Sequence, residues 1–136
     1  MQLLMQYLVI GLGGALGSML RFGLGGLIDA GVQKSGQLFP WGTIVVNITG
    51  CFIIGFVYAI SSAEGRYYLS PLTRSFITIG ILGGYTTFSS FSLQTLTLAQ
   101  DGQWMSAAAN VLLSVVLCLA GVWLGAMLAG MLNQMR

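Results

Sequence analysis

Histidine is absent from this chain, and charge is nearly so: five Lys or Arg and three Asp or Glu in 136 residues. A soluble domain carries roughly 25% charged residues; here they make up 6%, against 56% hydrophobic residues. So few charges do not coat a water-facing surface of this size, and lipid is expected to be the main solvent. The three carboxylates, Asp29, Glu64 and Asp101, all fall outside the long apolar runs. Proton-driven pumps and exporters usually carry an ionisable carboxylate or histidine within the membrane. Hydrolytic catalysis wants a histidine, a carboxylate pair or a phosphate loop, and none is present. Clusters of metal-ligating side chains are missing too. These absences argue against an enzyme and against proton-coupled transport, and leave a passive pathway. Cys51 and Cys118 both fall in apolar runs, where small packing residues are the expected reading ahead of a disulfide.

Four nearly uncharged segments are present, at about Leu4–Ile28, Trp41–Ser62, Ser75–Gln100 and Trp104–Leu132. Each is long enough to cross a hydrocarbon core of about 30 Å as a helix rising about 1.5 Å per residue. The chain is therefore expected to be one all-α domain, residues 1–136, of four transmembrane helices. The first run exceeds signal-peptide length and no Lys or Arg precedes it, so it reads as a retained span. Trp41 and Trp104 stand at span starts as interface anchors.

With four spans, both termini and the 63–74 loop share one side. That side holds Arg66, Arg74 and Arg136; the other holds Lys34, with Arg21 if it snorkels. Three against two barely chooses an orientation. Dual insertion, with two opposite copies paired about an in-plane twofold axis, is the expectation. Gly13/Gly17, Gly80/Gly84 and Gly121/Gly125 have the small-residue spacing of close helix contacts, within a chain or between copies.

The third run carries the most information. Its centre reads Gly83-Gly84-Tyr85-Thr86-Thr87-Phe88-Ser89-Ser90-Phe91-Ser92. Glycines and hydroxyls at mid-membrane predict a break in the helix, which is tolerated only inside protein or along a cavity. Such breaks mark ion or substrate sites. The polar groups in the spans are donors. Asn47 reads either as an amide binding helices together or as a donor facing a pathway. Arg21 either snorkels or makes one vestibule electropositive. Asn110 and Ser114 share a face of the fourth span. Phe88 and Phe91 lie three apart on one face, and an aromatic edge is positive. They either pack or meet a small anion edge-on, and a half-helix starting near Thr86 or Thr87 adds its positive end.

That third-run segment resembles the signature of the CrcB/Fluc fluoride channels, Gly-Gly-Leu-Thr-Thr-Phe-Ser-Thr-Phe-Ser. Gly14-Ala15-Leu16-Gly17-Ser18-Met19-Leu20-Arg21 and Gly42-Thr43-Ile44-Val45-Val46-Asn47 are similar to the family's first- and second-span motifs. The resemblance covers all four spans. It implies an antiparallel dual-topology homodimer in the bacterial inner membrane that passes fluoride outward and lowers its toxicity, with no nucleic-acid partner. By position, Asn47 is implied as the pore asparagine and Phe88 and Phe91 as ring-edge fluoride contacts. Ser89, Ser92 and Ser114 are implied for a polar track and Arg21 for a vestibule. A structural sodium ion at the dimer centre is implied, held by the backbone carbonyls of Gly83 and Thr86. Tyr85 departs from the family's Leu and Ser90 from its Thr. Asn110 stands where some relatives have a pore-facing tyrosine. The competing readings are a small dual-topology exporter, which lacks its carboxylate here, and a non-transporting assembly subunit.

Overall fold

The computed structural model describes residues 2–33, 39–62 and 67–135. Lys34, Arg66 and Arg136, which entered the charge balance, lie outside them, as do Glu64 and the rest of positions 63–66 at the start of the 63–74 loop. Among the described residues every regular element is helical. The elements are α1 (Gln2–Gln33), α2 (Trp41–Ile60), α3 (Pro71–Ser75), a wider π-helical segment (Phe76–Ile81), α4 (Leu82–Tyr85), α5 (Phe88–Gln100) and α6 (Trp104–Gln134). Four stretches are long and apolar enough to cross a membrane: Gln2–Val32, Trp41–Ile60, Pro71–Gln100 and Trp104–Gln134.

Helix ends follow local chemistry. α1 is 32 residues long, roughly 48 Å at about 1.5 Å per residue, so it extends past its apolar run and carries Asp29 within the helix. There Asp29 Oδ1 accepts the Gly42 N–H at 2.8 Å. α2 starts behind Pro40, which has no side-chain acceptor; the α1 carboxylate supplies the missing cap and suits the positive helix end. α2 stops at Ile60, short of Ser62, because Ser61 and Ser62 turn their hydroxyls back onto the carbonyls of Val57 and Ala59. Arg74 then donates to the Ser61 carbonyl at 2.8 Å and joins the ends of α2 and α3. α3 begins at Pro71, before the expected start at Ser75, because Ser70 caps it by accepting the Thr73 N–H. The turn from α5 to α6 is made by Gly102 at φ 76°. Its amide and that of Gln103 return to the carbonyls of Ala99 and Leu98, a glycine-terminated helix end.

Two close seams organise the bundle. α1 lies on the π-helical segment and α4, and α2 lies parallel to α6. On the first seam a Cβ at Gly13 would stand 2.8 Å from the Phe76 carbonyl oxygen, and one at Gly17 would run into that of Ile81. On the second, a Cβ at Gly125 would strike the Phe52 carbonyl and one at Gly55 that of Val122. All three spaced glycine pairs thus pack inside one chain. They leave no basis for assigning those faces to a second copy. Large apolar side chains along α1 and α6 remain exposed, among them Leu8, Leu12, Phe22, Leu119 and Trp123. That is the surface lipid or another copy would cover.

Gly17→Ala should lower recovery of folded protein from mild detergent, because overpacking against backbone costs about 1–3 kcal/mol. Gly23→Ala, on the same helix with open space around it, should behave as wild type. Equal size-exclusion yields for the two variants would remove the close-seam account.

Candidate ion pathway

The third membrane-length stretch leaves helical geometry at two residues. Thr86 is extended at ψ 156°, and Thr87 at φ −152°, ψ 114°. Two extended residues interrupt the ladder, so the carbonyls ending α4 and the amides opening α5 need other partners. Asn47 of α2 supplies some of them. Its Oδ1 accepts the Thr87 N–H at 2.8 Å and its Nδ2 donates to the Thr87 carbonyl at 3.0 Å. An amide carries both an acceptor and a donor on one planar group, and the backbone partners fix which atom is which. Thr87 Oγ1 then accepts the Ser90 N–H at 3.2 Å and caps α5. The same residue is pinned through its backbone and caps through its side chain. A second N–H of Asn47 Nδ2 stays free for another partner.

Beside this clasp lies a groove of about 320 Å³ lined by Asn47, Cys51, Thr86, Thr87, Phe88, Phe91, Ser114, Val115, Cys118 and Leu119. Among the described residues, its lining contains no carboxylate, lysine or arginine. The Phe88 and Phe91 rings stand 5.2 Å apart and are tilted by 49°, an ordinary aromatic pair geometry. Their surroundings differ sharply: Phe91 is 8% exposed and Phe88 77%. Phe91 is therefore also a core residue. Ser114 is buried and donates to Asn110 Oδ1 at a long 3.5 Å. Asn110, 1% exposed, donates to Thr95 Oγ1 at 2.8 Å, and Thr95 donates in turn to the Phe91 carbonyl. Asn110 thus joins α6 to α5, and Thr95, which drew no attention in the sequence, is its partner.

The structure divides the remaining expected residues. Arg21 does not reach the phenylalanine groove. It lines a second groove of about 370 Å³ with Ser18, Asp29, Thr43, Thr87, Ser90 and Gln94 among others. Thr87 borders both grooves and forms the wall between them. Ser89 and Ser92 line neither groove; both are exposed. Ser92 donates to the Phe88 carbonyl at 2.9 Å, and Ser89 Oγ lies 3.3 Å from Thr87 Oγ1. Tyr85 is buried inside the chain. Its hydroxyl meets Thr49 Oγ1 at 2.9 Å, and since that threonine donates to the Val45 carbonyl, the phenol is the donor. Its destination is α2.

The carbonyls of Gly83 and Thr86 are of the right kind for a hard cation. The amides that would serve them in a continuous helix belong to Thr87 and Ser90, and these donate instead to Asn47 and to Thr87 Oγ1. Thr86 O takes a weak 3.4 Å contact from Arg21 Nη1, which leaves one of its two lone pairs. Backbone oxygens of this type suit hard cations, but one chain offers only two of them.

A helical protein with four membrane-length apolar stretches and a polar break in the third is a multi-pass membrane protein. The family described as CrcB-like protein, Camphor Resistance (CrcB), matches residues 8–126. The chain belongs to that family. It is 55% identical to the fluoride-specific ion channel FluC of Rhodospirillum rubrum over 96% of this chain and 98% of that one. It is 54% identical to the protein of the same description from Opitutus terrae, over 96% of each chain. For the one from Methylocella silvestris the identity is 47%, over 97% of this chain and 98% of that one.

Asn47→Ala strands the Thr87 N–H and carbonyl, each worth about 1–3 kcal/mol when left buried and unpaired. The variant should lose thermal stability in detergent as well as ion flux. Normal stability with only flux lost would show that Asn47 serves the ion and not the backbone.

Proposed function

We propose that this protein is a passive, fluoride-selective channel that lets fluoride leave the cytoplasm of a bacterium across its plasma membrane. The observation that carries this reading is the groove beside the break. Its polar lining is an amide and hydroxyls, its apolar lining includes two aromatic rings, and among the described residues no carboxylate or histidine borders it. The descriptions of the close relatives support the same reading.

The residues act as follows. The Asn47–Thr87 clasp holds open a helix break that we place at mid-membrane. α5 then begins beside the groove with its positive end and its first amides. Fluoride exchanges a tightly held hydration shell for the free Asn47 N–H, the Ser114 hydroxyl turned from its long Asn110 contact, and the positive edges of Phe88 and Phe91. Rigid donors set for a small anion serve a larger one poorly. Arg21, on the far side of Thr87, offsets the Asp29 carboxylate that lines the same second groove, so that groove does not repel anions. Acidic surroundings deliver fluoride as neutral HF, which crosses lipid and dissociates inside. The inside-negative potential, about 2.3 kcal/mol per charge per 100 mV, then drives the anion out.

One copy leaves Phe88 exposed and the groove open along one side. A second copy inserted in the opposite direction covers it, and the weak charge bias permits both insertions. Ser89 and Ser92, exposed in one chain, then face the partner copy and complete its polar track. Gly83 and Thr86 carbonyls from both copies hold a sodium ion at the seam; it supplies fixed positive charge between the two halves. The four helices form one domain, residues 1–136.

Purified protein in fluoride-loaded liposomes should release fluoride on adding a potassium ionophore, retain chloride, and need no pH gradient. Phe88→Ile should abolish most of the flux and leave the fold intact, since that ring is exposed in the chain. Phe91→Ile should lose flux and also stability, by about 1–3 kcal/mol. Equal chloride and fluoride release sinks the selectivity, and wild-type flux in both variants sinks the ring-edge role.

A further inference from the structure

Cys51 of α2 and Cys118 of α6 take no part in the clasp, the caps or the α5–α6 hydrogen bonds. They are free, half-buried thiols. Both line the groove of Asn47, Phe88, Phe91 and Ser114. They face it from two different helices, α2 and α6. The seam that carries them is fixed by backbone contact. One turn beyond Cys118, a Cβ on Gly121 would sit 3.7 Å from Cys51 Cβ, and the next turn of α6 touches the Phe52 carbonyl through Gly125. The parallel helices therefore place both thiols on the same groove without needing a covalent bond.

Thiolates are soft ligands and select soft metal ions over hard ones. Two sulfurs, one from each wall of a narrow groove, are the set that a two-coordinate d10 cation takes. We propose that Cys51 and Cys118 form a two-sulfur site for a soft d10 cation, and that filling it closes the groove to fluoride. For a divalent ion, two S–H bonds break, two sulfur–metal bonds form, and both protons pass to water. Nothing is oxidised or reduced. One dication and two thiolates make a neutral product, which an apolar groove accepts more readily than a net charge. Sodium and other hard cations prefer oxygen and do not compete. The blocking step rests on the fluoride-pathway reading; the binding step does not.

Mercury(II) is the probe, added in slight excess to the purified protein and then removed by gel filtration. Metal content and remaining maleimide-reactive thiols are counted in detergent, and fluoride efflux is read in liposomes. One mercury per chain is expected, with both thiols lost together, most of the flux lost, and flux restored by a dithiol reductant. Cys51→Ala and Cys118→Ala should each keep most of their own untreated flux at the same dose. Two mercury ions per chain, or a mercury bridge between two chains, overturns the site. So does a single-cysteine variant blocked as fully as the wild type. Metal bound as expected with flux unchanged overturns the closure. Counting metal and thiols on the unsubstituted protein decides the site even where a variant fails to fold. Absence of fluoride flux before mercury is added counts against the pathway reading alone.

Discussion

The side-chain amide of Asn47 closes a two-bond ring on the backbone of Thr87, and the arrangement of both grooves depends on that ring. A helix interrupted in an apolar setting exposes N–H and carbonyl groups that water cannot reach. In hydrocarbon each such group is costly, so the interruption persists only where a side chain replaces the lost ladder. Asn47 does this from a neighbouring helix, and Thr87 then uses its own hydroxyl to start α5. The break, the direction of α5 and the placement of Phe88 and Phe91 follow from one residue pair.

Close glycine seams make that pairing possible. α1 approaches the π-helical segment and α4 at Gly13 and Gly17, and α2 approaches α6 at Gly55 and Gly125. Side chains at these positions would push the helices apart, and α2 could not present Asn47 to Thr87 at hydrogen-bond distance. Packing of this kind replaces the hydrophobic drive that helices lack when lipid surrounds them. The result is a bundle whose close seams are made by glycines, while many large apolar side chains of α1 and α6 face outward.

Charge poverty and four apolar runs made the helical membrane architecture legible in the sequence. The Gly-Gly-Tyr-Thr-Thr stretch marked where the ladder stops, because glycine and hydroxyls weaken a helix there. Other features depended on which helices meet, which linear spacing does not encode. Asp29 looked like a loop residue, yet α1 runs on and delivers its carboxylate to the start of α2. Tyr85 stood out only as a departure from the family motif, and its hydroxyl turns to Thr49. Asn47 was open to two readings, helix joining and donor to a pathway; its carbonyl oxygen and one N–H hold the backbone, and one N–H remains. Arg21 was counted with the pathway residues, yet it stands across Thr87 in a separate groove. The cysteines read as packing residues singly, and only the α2–α6 register brings both onto one groove.

The central claim is that a donor-lined, uncharged passage beside the Asn47–Thr87 clasp conducts one small anion and nothing coupled to it. Reversal potential in a planar bilayer containing the purified protein tests this most directly. With fluoride, chloride and pH gradients set independently, the potential should follow the fluoride gradient alone. A potential that moves with the chloride gradient, or with pH at fixed fluoride, contradicts the account.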